Sequence, residues 1–587
     1  MKTTIVALNS KYIHSSLGVW YLKAICGEEQ GEISVLEATI NEDEDRILAS
    51  IFNEKADVVA FSCYIWNIGE VLKLSENIKK ILPTIVIVLG GPEVSFEVDR
   101  FLVDHLFVDF VIMGEGEYTF KKLIYYLKSG NINFENIGGL VYRKGNKVEI
   151  NDSYEQACDL DYLPSPYSDE MLQSIGNRIV YFEASRGCPF SCSYCLSSTS
   201  KGVRFFSMER VKNDLDRLIR TGIRQIKFVD RTFNCNKSRA KEILRYVIES
   251  SGAKNNEVTT NFHFEAAADL FDEEMLDILS VAPEGLIQLE IGVQSTNSST
   301  LELVDRKTDL AKVFSNISKL RLKGNINIHL DLIAGLPGES FLSFCNSFNQ
   351  VYMLNPQQLQ LGFLKMLKGS KIRSEAELHE YCYRNYPPYE VLFNKFISYE
   401  ELLVLKGIEE HVDKYYNSGR FLTSLNNFIR FHFETAFEFY RAFHIFYVKE
   451  GLNGRNLSSR ELYSAFVKFA HNFDNFEIAN ELIKLDYLAS DNSRNYPEGI
   501  INYKEHGFKE KCFEFLKVYS NIDNYLPQYK GVPPKEIYKK VHFEVFKIDV
   551  SKVQGKKDFQ KRRTVIMFDY SSKNKVSGLF RYWKVEI

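Results

Sequence analysis

Three of the chain's ten cysteines fall within eight residues, in Ser185-Arg186-Gly187-Cys188-Pro189-Phe190-Ser191-Cys192-Ser193-Tyr194-Cys195, directly after the strand-like run YFEA. Thiolates are soft ligands for iron and zinc, and three on so short a loop suit one metal centre. Structural zinc sites and ordinary four-iron clusters take four protein donors. A set of three, Cys188, Cys192 and Cys195, leaves one iron of a cluster open to the amine and carboxylate of a small molecule. The competing reading is a zinc loop, and the surroundings of the motif decide between them.

A chain of 587 residues exceeds one ordinary core and predicts three or four units. Its 45% apolar content can fill them. No run of about 18 uncharged apolar residues occurs, and the N-terminus enters a strand, TTIVALN, without a signal-peptide pattern, so a cytoplasmic protein with no membrane span is expected. The cysteines outside the loop (Cys26, Cys63, Cys158, Cys235, Cys345, Cys382 and Cys512) have no framework spacing and read as reduced thiols, mostly buried small hydrophobes. Charge is uneven: residues 535–587 hold 14 Lys/Arg against 6 Asp/Glu, a local +8, which leaves −12 for residues 1–534. Such asymmetry marks either a solvated face or an anionic partner.

Through the first 130 residues short apolar runs alternate with helical patterns: TTIVALN, a helix from Ser16, ISVLEAT, a helix over 44–52, DVVAFSCY, a helix from Ile68, TIVIVLGGP, and DFVIMGEGE leading into TFKKLIYYLK. Five such runs predict an α/β, doubly wound (flavodoxin-like) parallel sheet, whose ligand would lie beyond the carboxyl ends of its strands. The run IGGLVYRKGNKVEIND, with Gly145-Asn146 as its turn, predicts a hairpin. The following DLDYLPSPY is held extended by Pro164 and Pro166, as a linker would be. From residue 176 to about 375 six β-runs alternate with helices (RIVYFEA, QIKFVDRTF, HFEAAA, LIQLEIGVQS, INIHLDLIAGLP and LQLGFLKML) and predict a partial (β/α)6 TIM barrel, with reactive groups at the carboxyl ends of its strands.

The CxxxCxxC spacing of CPFSCSYC, with the aromatic Tyr194 before its last cysteine, resembles the radical S-adenosylmethionine (SAM) enzymes. Ser62 after the third strand and Gly90-Gly91 after the fourth resemble the serine and double glycine of cobalamin-binding domains. Together the modules resemble the cobalamin (B12)-binding radical SAM family, and a resemblance to an uncharacterised C-terminal domain extends beyond them. The family implies a [4Fe-4S] cluster on Cys188, Cys192 and Cys195, SAM and cobalamin. It implies SAM contacts from Tyr194, Phe228, Asp230, Glu265, Gln294 and Arg306, Phe228 to Arg231 by backbone groups. For cobalamin the candidates are Asn9, His14, Ser62, Tyr64, Gly90, Gly91, Pro92, Glu93, Glu115, Gly116 and Glu117. The turn NSKYIHSSLG departs from the family's D-x-H-x-x-G, so His14 is expected to bond or cap locally and leave cobalt without a histidine ligand.

The expected organisation is a cobalamin-binding domain over 1–130, hairpin and linker over 131–175, a radical SAM core over 176–375, and an accessory or substrate-recognition domain over 376–587. In the last, aromatics at helical spacing from about residue 389 to 519 predict a helical core. The runs VHFEVFKIDV, RRTVIMFDY and VSGLFRYWKVEI, with SSKNK as a turn, predict a small antiparallel β unit. The basic stretch 556–563 near Tyr570, Phe580, Tyr582 and Trp583 has the composition of a single-strand nucleic-acid surface or of an exposed rim. The implied chemistry is methylation of an unactivated carbon, or of a thio or methylthio group, through a 5′-deoxyadenosyl radical and methylcobalamin. A reducing partner of flavodoxin or ferredoxin type is implied as well. The substrate classes are a tRNA nucleoside and a small metabolite; cyclisation, rearrangement or oxidation on the same parts, and a cobalamin sensor, are the alternative functions.

Overall fold

The computed structural model describes residues 1–153, 156–199, 202–252, 260–493, 495–503, 505–552 and 561–587. The first sheet contains β1 (Lys2–Asn9), β2 (Glu32–Thr39), β3 (Val58–Ser62), β4 (Val86–Gly90), β5 (Phe110–Ile112), β6 (Leu140–Lys144) and β7 (Lys147–Ile150) in the order β2-β1-β3-β4-β5-β6-β7. The first five strands are parallel, as their unbroken apolar runs require when helices cover both faces. The hairpin β6–β7 turns where Gly145-Asn146 predicts it. It is not a free connector, because β6 pairs antiparallel with β5 and extends the first sheet.

The second sheet contains β8 (Val180–Phe182), β11 (Gln225–Phe228), β12 (Asn261–Glu265), β13 (Ile287–Gln294), β14 (Asn327–Ala334) and β15 (Gln358–Phe363). All six are parallel, in the order β15-β14-β13-β12-β11-β8, which is the expected partial barrel. A two-stranded ribbon, β9 (Ser185–Gly187) and β10 (Val203–Phe205), rises beside its mouth. The open edge at β15 is blunted by one side chain. Leu359 N donates to Asn417 Oδ1 (2.8 Å) and Asn417 Nδ2 donates to Leu359 O (3.0 Å), so a carboxamide stands in for the missing neighbour strand.

Asn417 closes a π-helical turn, Val412–Asn417, at the start of the C-terminal helices. These bury the aromatics their spacing predicts as core: Phe428, Phe439, Tyr440, Phe443, Tyr447 and Phe466. A short ribbon, β16 (Cys382–Tyr383) and β17 (Val391–Phe393), precedes them. The chain ends in an antiparallel sheet of β18 (Val541–Phe546), β19 (Thr564–Lys573) and β20 (Phe580–Val585). The expected turn SSKNK lies further along, because β19 runs on through Lys573 and the chain reverses between Asn574 and Leu579. No helix among the described residues is long and apolar enough to cross a membrane.

Candidate functional site

The cysteine loop leaves the barrel mouth through β9. Gly187, just before Cys188, has φ +96°, and a Cβ there would lie 2.2 Å from the Gly202 carbonyl oxygen; only glycine fits this approach. Backbone bonds then fix the loop: Ser193 N donates to Val304 O (3.0 Å), Cys195 N to Cys192 O (3.0 Å), and Ile372 N to Ser193 O (2.9 Å). Arg306 reaches in from below, with Nη1 3.7 Å from Cys192 Sγ and 3.4 Å from the Tyr194 hydroxyl, while Nη2 donates to Gly292 O. Cys188 Sγ lies 3.5 Å from Thr232 Oγ1. Asp230, buried, accepts from Ala184 N (3.0 Å) and from the Ser185 hydroxyl; burial pushes its carboxyl up to about 6. It braces the root of the loop.

The barrel interior is polar. On β11 to β14 every second residue faces inward, and those residues include Lys227, His263, Glu265, Glu290, His329 and Asp331. Glu290 Oε2 lies 3.0 Å from Lys227 Nζ and 2.9 Å from His263 Nε2. Burial opposes ionisation of Glu290, but His263 and Lys227 outweigh it and hold the carboxyl down at about 2. Glu265, by contrast, is pushed up to about 7 by burial and by Glu290. Glu290, His329 and Asp331 bring donor atoms within 4.8 Å of one another, yet the Lys227 ammonium already supplies positive charge at that point.

The carboxyl edge of the first sheet packs against β8, the edge strand of the barrel. The loop after β1 pairs with the residue ahead of β8: Ile179 N donates to Ile13 O (2.7 Å), and Ser15 Oγ to Ile179 O (2.9 Å). His14 Nδ1 lies 2.7 Å from the Tyr181 hydroxyl of β8, and its pKa is lowered by burial and then by Lys11 and Lys227. Asn9 Nδ2 donates to His14 O (3.1 Å) and to Glu37 (2.8 Å). Tyr64 stacks on Trp66, ring centroids 4.4 Å apart. Ser62 and Gly90 are register partners on β3 and β4. Gly91 takes φ +115°, and a Cβ there would sit 2.5 Å from the Cys63 carbonyl oxygen.

The structure thus gathers Cys188, Cys192, Cys195, Tyr194, Gln294 and Arg306 on one side, and Asn9, His14, Ser62, Tyr64, Gly90, Gly91 and Pro92 on the other. Phe228 is expected to act through its backbone, and the burial of its ring is compatible with that. It is fully buried against Phe182, Phe233 and Phe264, so only its backbone faces a ligand. Glu93 accepts from the Tyr389 hydroxyl and lies 3.1 Å from Lys368 Nζ. Glu115 and Glu117 both pair with Arg186, and Gly116 leads into the helix Glu117–Ser129. Sequence reasoning passed over Arg186, Glu183, Tyr181 and Lys227; polar residues at period two within apolar strands were the available signal for the lumen. Of the other cysteines, Cys63, Cys345 and Cys512 are buried, Cys26, Cys235 and Cys382 half-buried, and Cys158 exposed. The basic stretch 556–563 lies outside the described residues up to 560. A recess of about 780 Å³ opens beside the cysteine loop, lined by Ser191, Ser198, Thr199, Asp305, Lys371 and Arg373 among others.

A parallel sheet packed on the edge strand of a partial parallel barrel, with a three-cysteine loop following that strand, is the α/β architecture of the first 375 residues. Residues 3–124 match the B12 binding domain, residues 182–350 the Radical SAM superfamily, and residues 377–568 a protein of unknown function family, DUF4080. The chain accordingly carries a B12-binding domain, a radical SAM domain and a DUF4080 segment; the first two imply cobalamin, a [4Fe-4S] cluster and SAM. It is 27% identical over 346 residues to the cobalamin-dependent radical SAM methyltransferase TokK of Streptomyces tokunonensis, covering 56% of this chain and 50% of that one. It is 25% identical over 342 residues to a tRNA-2-methylthio-N(6)-dimethylallyladenosine synthase of Psychrobacter cryohalolentis, covering 55% and 62%. The chain spans about half the length of TokK. The solved structure of the cobalamin-dependent SAM radical enzyme OxsB with aqua-cobalamin superposes with a TM-score of 0.60 at 16% identity, over 88% of this chain and 84% of that one; this likeness is one of fold.

Proposed function

We propose that the chain is a cobalamin-dependent radical SAM methyltransferase acting on an unactivated carbon of a small molecule. One observation carries the reading: the carboxyl edge of the first sheet packs on β8, the edge strand of the barrel, where His14 and Tyr181 are 2.7 Å apart, and β8 leads directly into the only cluster of three closely spaced cysteines in the sequence. Cys188, Cys192 and Cys195 would hold the cluster. Tyr194, Glu265, Gln294 and Arg306, with backbone from Phe228 to Asp230, would receive SAM. Asn9, Ser62, Tyr64 and Gly90-Gly91-Pro92 would cradle cobalamin. The residues fit these groups, since Gln294 Oε1, Arg306 Nε and Ser193 Oγ are buried without a protein partner, as atoms awaiting a polar ligand would be. When bound, these groups supply one-electron cleavage of the SAM C–S bond and a methyl carrier.

The chain's own part is to position and to exclude water. The Glu265 carboxyl, near 7, can hold or release a proton at the mouth at neutral pH, while Lys227 and His263 fix Glu290 beneath it. On this reading residues 1–130 and 176–375 are the cofactor modules, 131–175 join them, and 376–587 recognise the substrate. A small molecule is favoured over tRNA because basic side chains of the C-terminal sheet already face acids: Arg563 with Glu505 (2.7 Å), Lys584 with Asp549 (2.7 Å) and Arg581 with Glu284 (3.5 Å). A flavodoxin or ferredoxin type partner would deliver the electron. Anaerobic reconstitution with iron, sulfide and hydroxocobalamin, followed by methyl-labelled SAM and a cell extract split into RNA and small molecules, tests the reading. Label is expected in the small-molecule fraction. Label in RNA alone overturns the substrate class, and a Cys192→Ala protein that still cleaves SAM overturns the cluster assignment.

A further inference from the structure

The carboxylates at the carboxyl ends of β4 and β5 reach other parts of the chain. Arg186, two residues before Cys188, has all three guanidinium nitrogens engaged: Nε with Glu183 Oε2 (3.0 Å), Nη1 with Glu115 Oε2 (3.1 Å) and Nη2 with Glu117 Oε1 (2.6 Å). Its Cζ lies 5.2 Å from the ring centroid of Tyr21, on the helix Leu17–Ile25, and its side chain is 11% exposed. Glu115 is shared with Arg204, the cross-strand partner of Arg186 on β10. Glu115, Glu117 and Tyr21 belong to the first sheet and its helices; Glu183 and Arg204 belong to the barrel side. A planar fork with three donor directions fixes both distance and orientation, which a single ammonium does not.

We propose that Arg186 is a positioning residue that sets the gap between the cysteine loop and the carboxyl edge of the first sheet. The inference rests on the two-cofactor reading above. Two outcomes of SAM separate the gap from the cluster. Reductive cleavage of SAM to methionine and 5′-deoxyadenosine would need the cysteine loop, the SAM contacts of the barrel, an electron from the reducing partner and a hydrogen atom from substrate or buffer, but not the first sheet. Methyl transfer from SAM to reduced cobalamin, which leaves S-adenosylhomocysteine, would need SAM held across the gap. Arg186→Lys keeps the charge and loses the fork.

The expected result is an Arg186→Lys protein with wild-type iron and cobalamin content and 5′-deoxyadenosine release within twofold of wild type. Its S-adenosylhomocysteine release should fall at least tenfold relative to 5′-deoxyadenosine. In cofactor-free protein, hydrogen exchange of the amides at 185–195 should quicken at least tenfold while thermal unfolding changes little. A purely structural role would lower both SAM products in step with cluster content. Glu117→Gln, which keeps an acceptor oxygen but loses the charge, should move the product ratio in the same direction and stands in if Arg186→Lys fails to fold. An unchanged ratio in the folded variant, or a proportional loss of both products, overturns the proposal. Wild-type protein that cleaves no SAM overturns the two-cofactor reading and this inference with it, whereas active wild type with an unchanged ratio in the variant overturns the inference alone.

Discussion

Gly90 and Gly91 are adjacent in sequence and expected to fail in opposite ways when given a methyl group. Gly91 sits at φ +115° and ψ 174°, a region that costs an L residue about 1–3 kcal/mol. Its Cβ would lie 2.5 Å from the Cys63 carbonyl oxygen, so the Cys63 peptide must move. That peptide holds two backbone bonds, Cys63 N to Gly90 O (2.7 Å) and Glu93 N to Cys63 O (3.3 Å), each contributing about 1 kcal/mol. Gly91→Ala should therefore destabilise the first sheet by about 3–5 kcal/mol, or roughly 10 °C in its thermal transition. Gly90 has ordinary φ, and its Cβ would be 3.7 Å from Ile112, so Gly90→Ala should stay within about 1 kcal/mol of wild type. If the open space beside Gly90 is where cobalamin runs, the added methyl should still weaken cobalamin binding at least tenfold. Differential scanning fluorimetry and spectrophotometric cobalamin titration on both variants separate the effects. A Gly91→Ala protein melting within about 2 °C of wild type refutes the strain argument, and a Gly90→Ala protein that binds cobalamin unchanged refutes the cradle.

Glu339 is buried and accepts from Ser295 Oγ (2.6 Å) and Ser347 Oγ (3.1 Å), and burial pushes its carboxyl up to about 7 from the model-peptide value of 4.5. A raised folded-state pKa means the stabilisation is whole below about 4.5 and is lost as pH climbs to about 7, so Glu339→Gln should be the more stable protein above neutrality, by about 3 kcal/mol. Urea denaturation at pH 5 and pH 8 checks this, and an equal gap at both refutes it. His14→Ala loses the bond to Tyr181 and should cost about 1 kcal/mol while leaving cobalamin affinity within about threefold; a tenfold weaker complex with a shifted cobalt spectrum would make His14 a ligand instead.

Both sheets were legible in the sequence because each depends on local periodicity: unbroken apolar runs for strands covered on both faces, amphipathic stretches between them, and glycines where a turn admits no Cβ. The cysteine loop was legible for a similar reason, since its three thiols lie within eight residues. Side-chain roles that depend on distant segments were not. Glu93, Glu115 and Glu117 are expected at a ligand from their place after β4 and β5; the partners the structure adds for them, Tyr389, Lys368 and Arg186, come from other parts of the chain. Phe228 ends its strand in line with the site, and the alternation of β11 puts its ring in the core, which leaves the backbone role expected of it.

By itself the sequence determined the element order, the two α/β layers and the cluster of three cysteines, because hydrophobic periodicity and motif spacing are set between near neighbours along the chain. Only the tertiary structure decided which polar groups neutralise one another. Ion pairs and hydrogen bonds act through space between distant segments, as between Glu93 and Lys368 and between Glu93 and Tyr389, and nothing in local spacing encodes them.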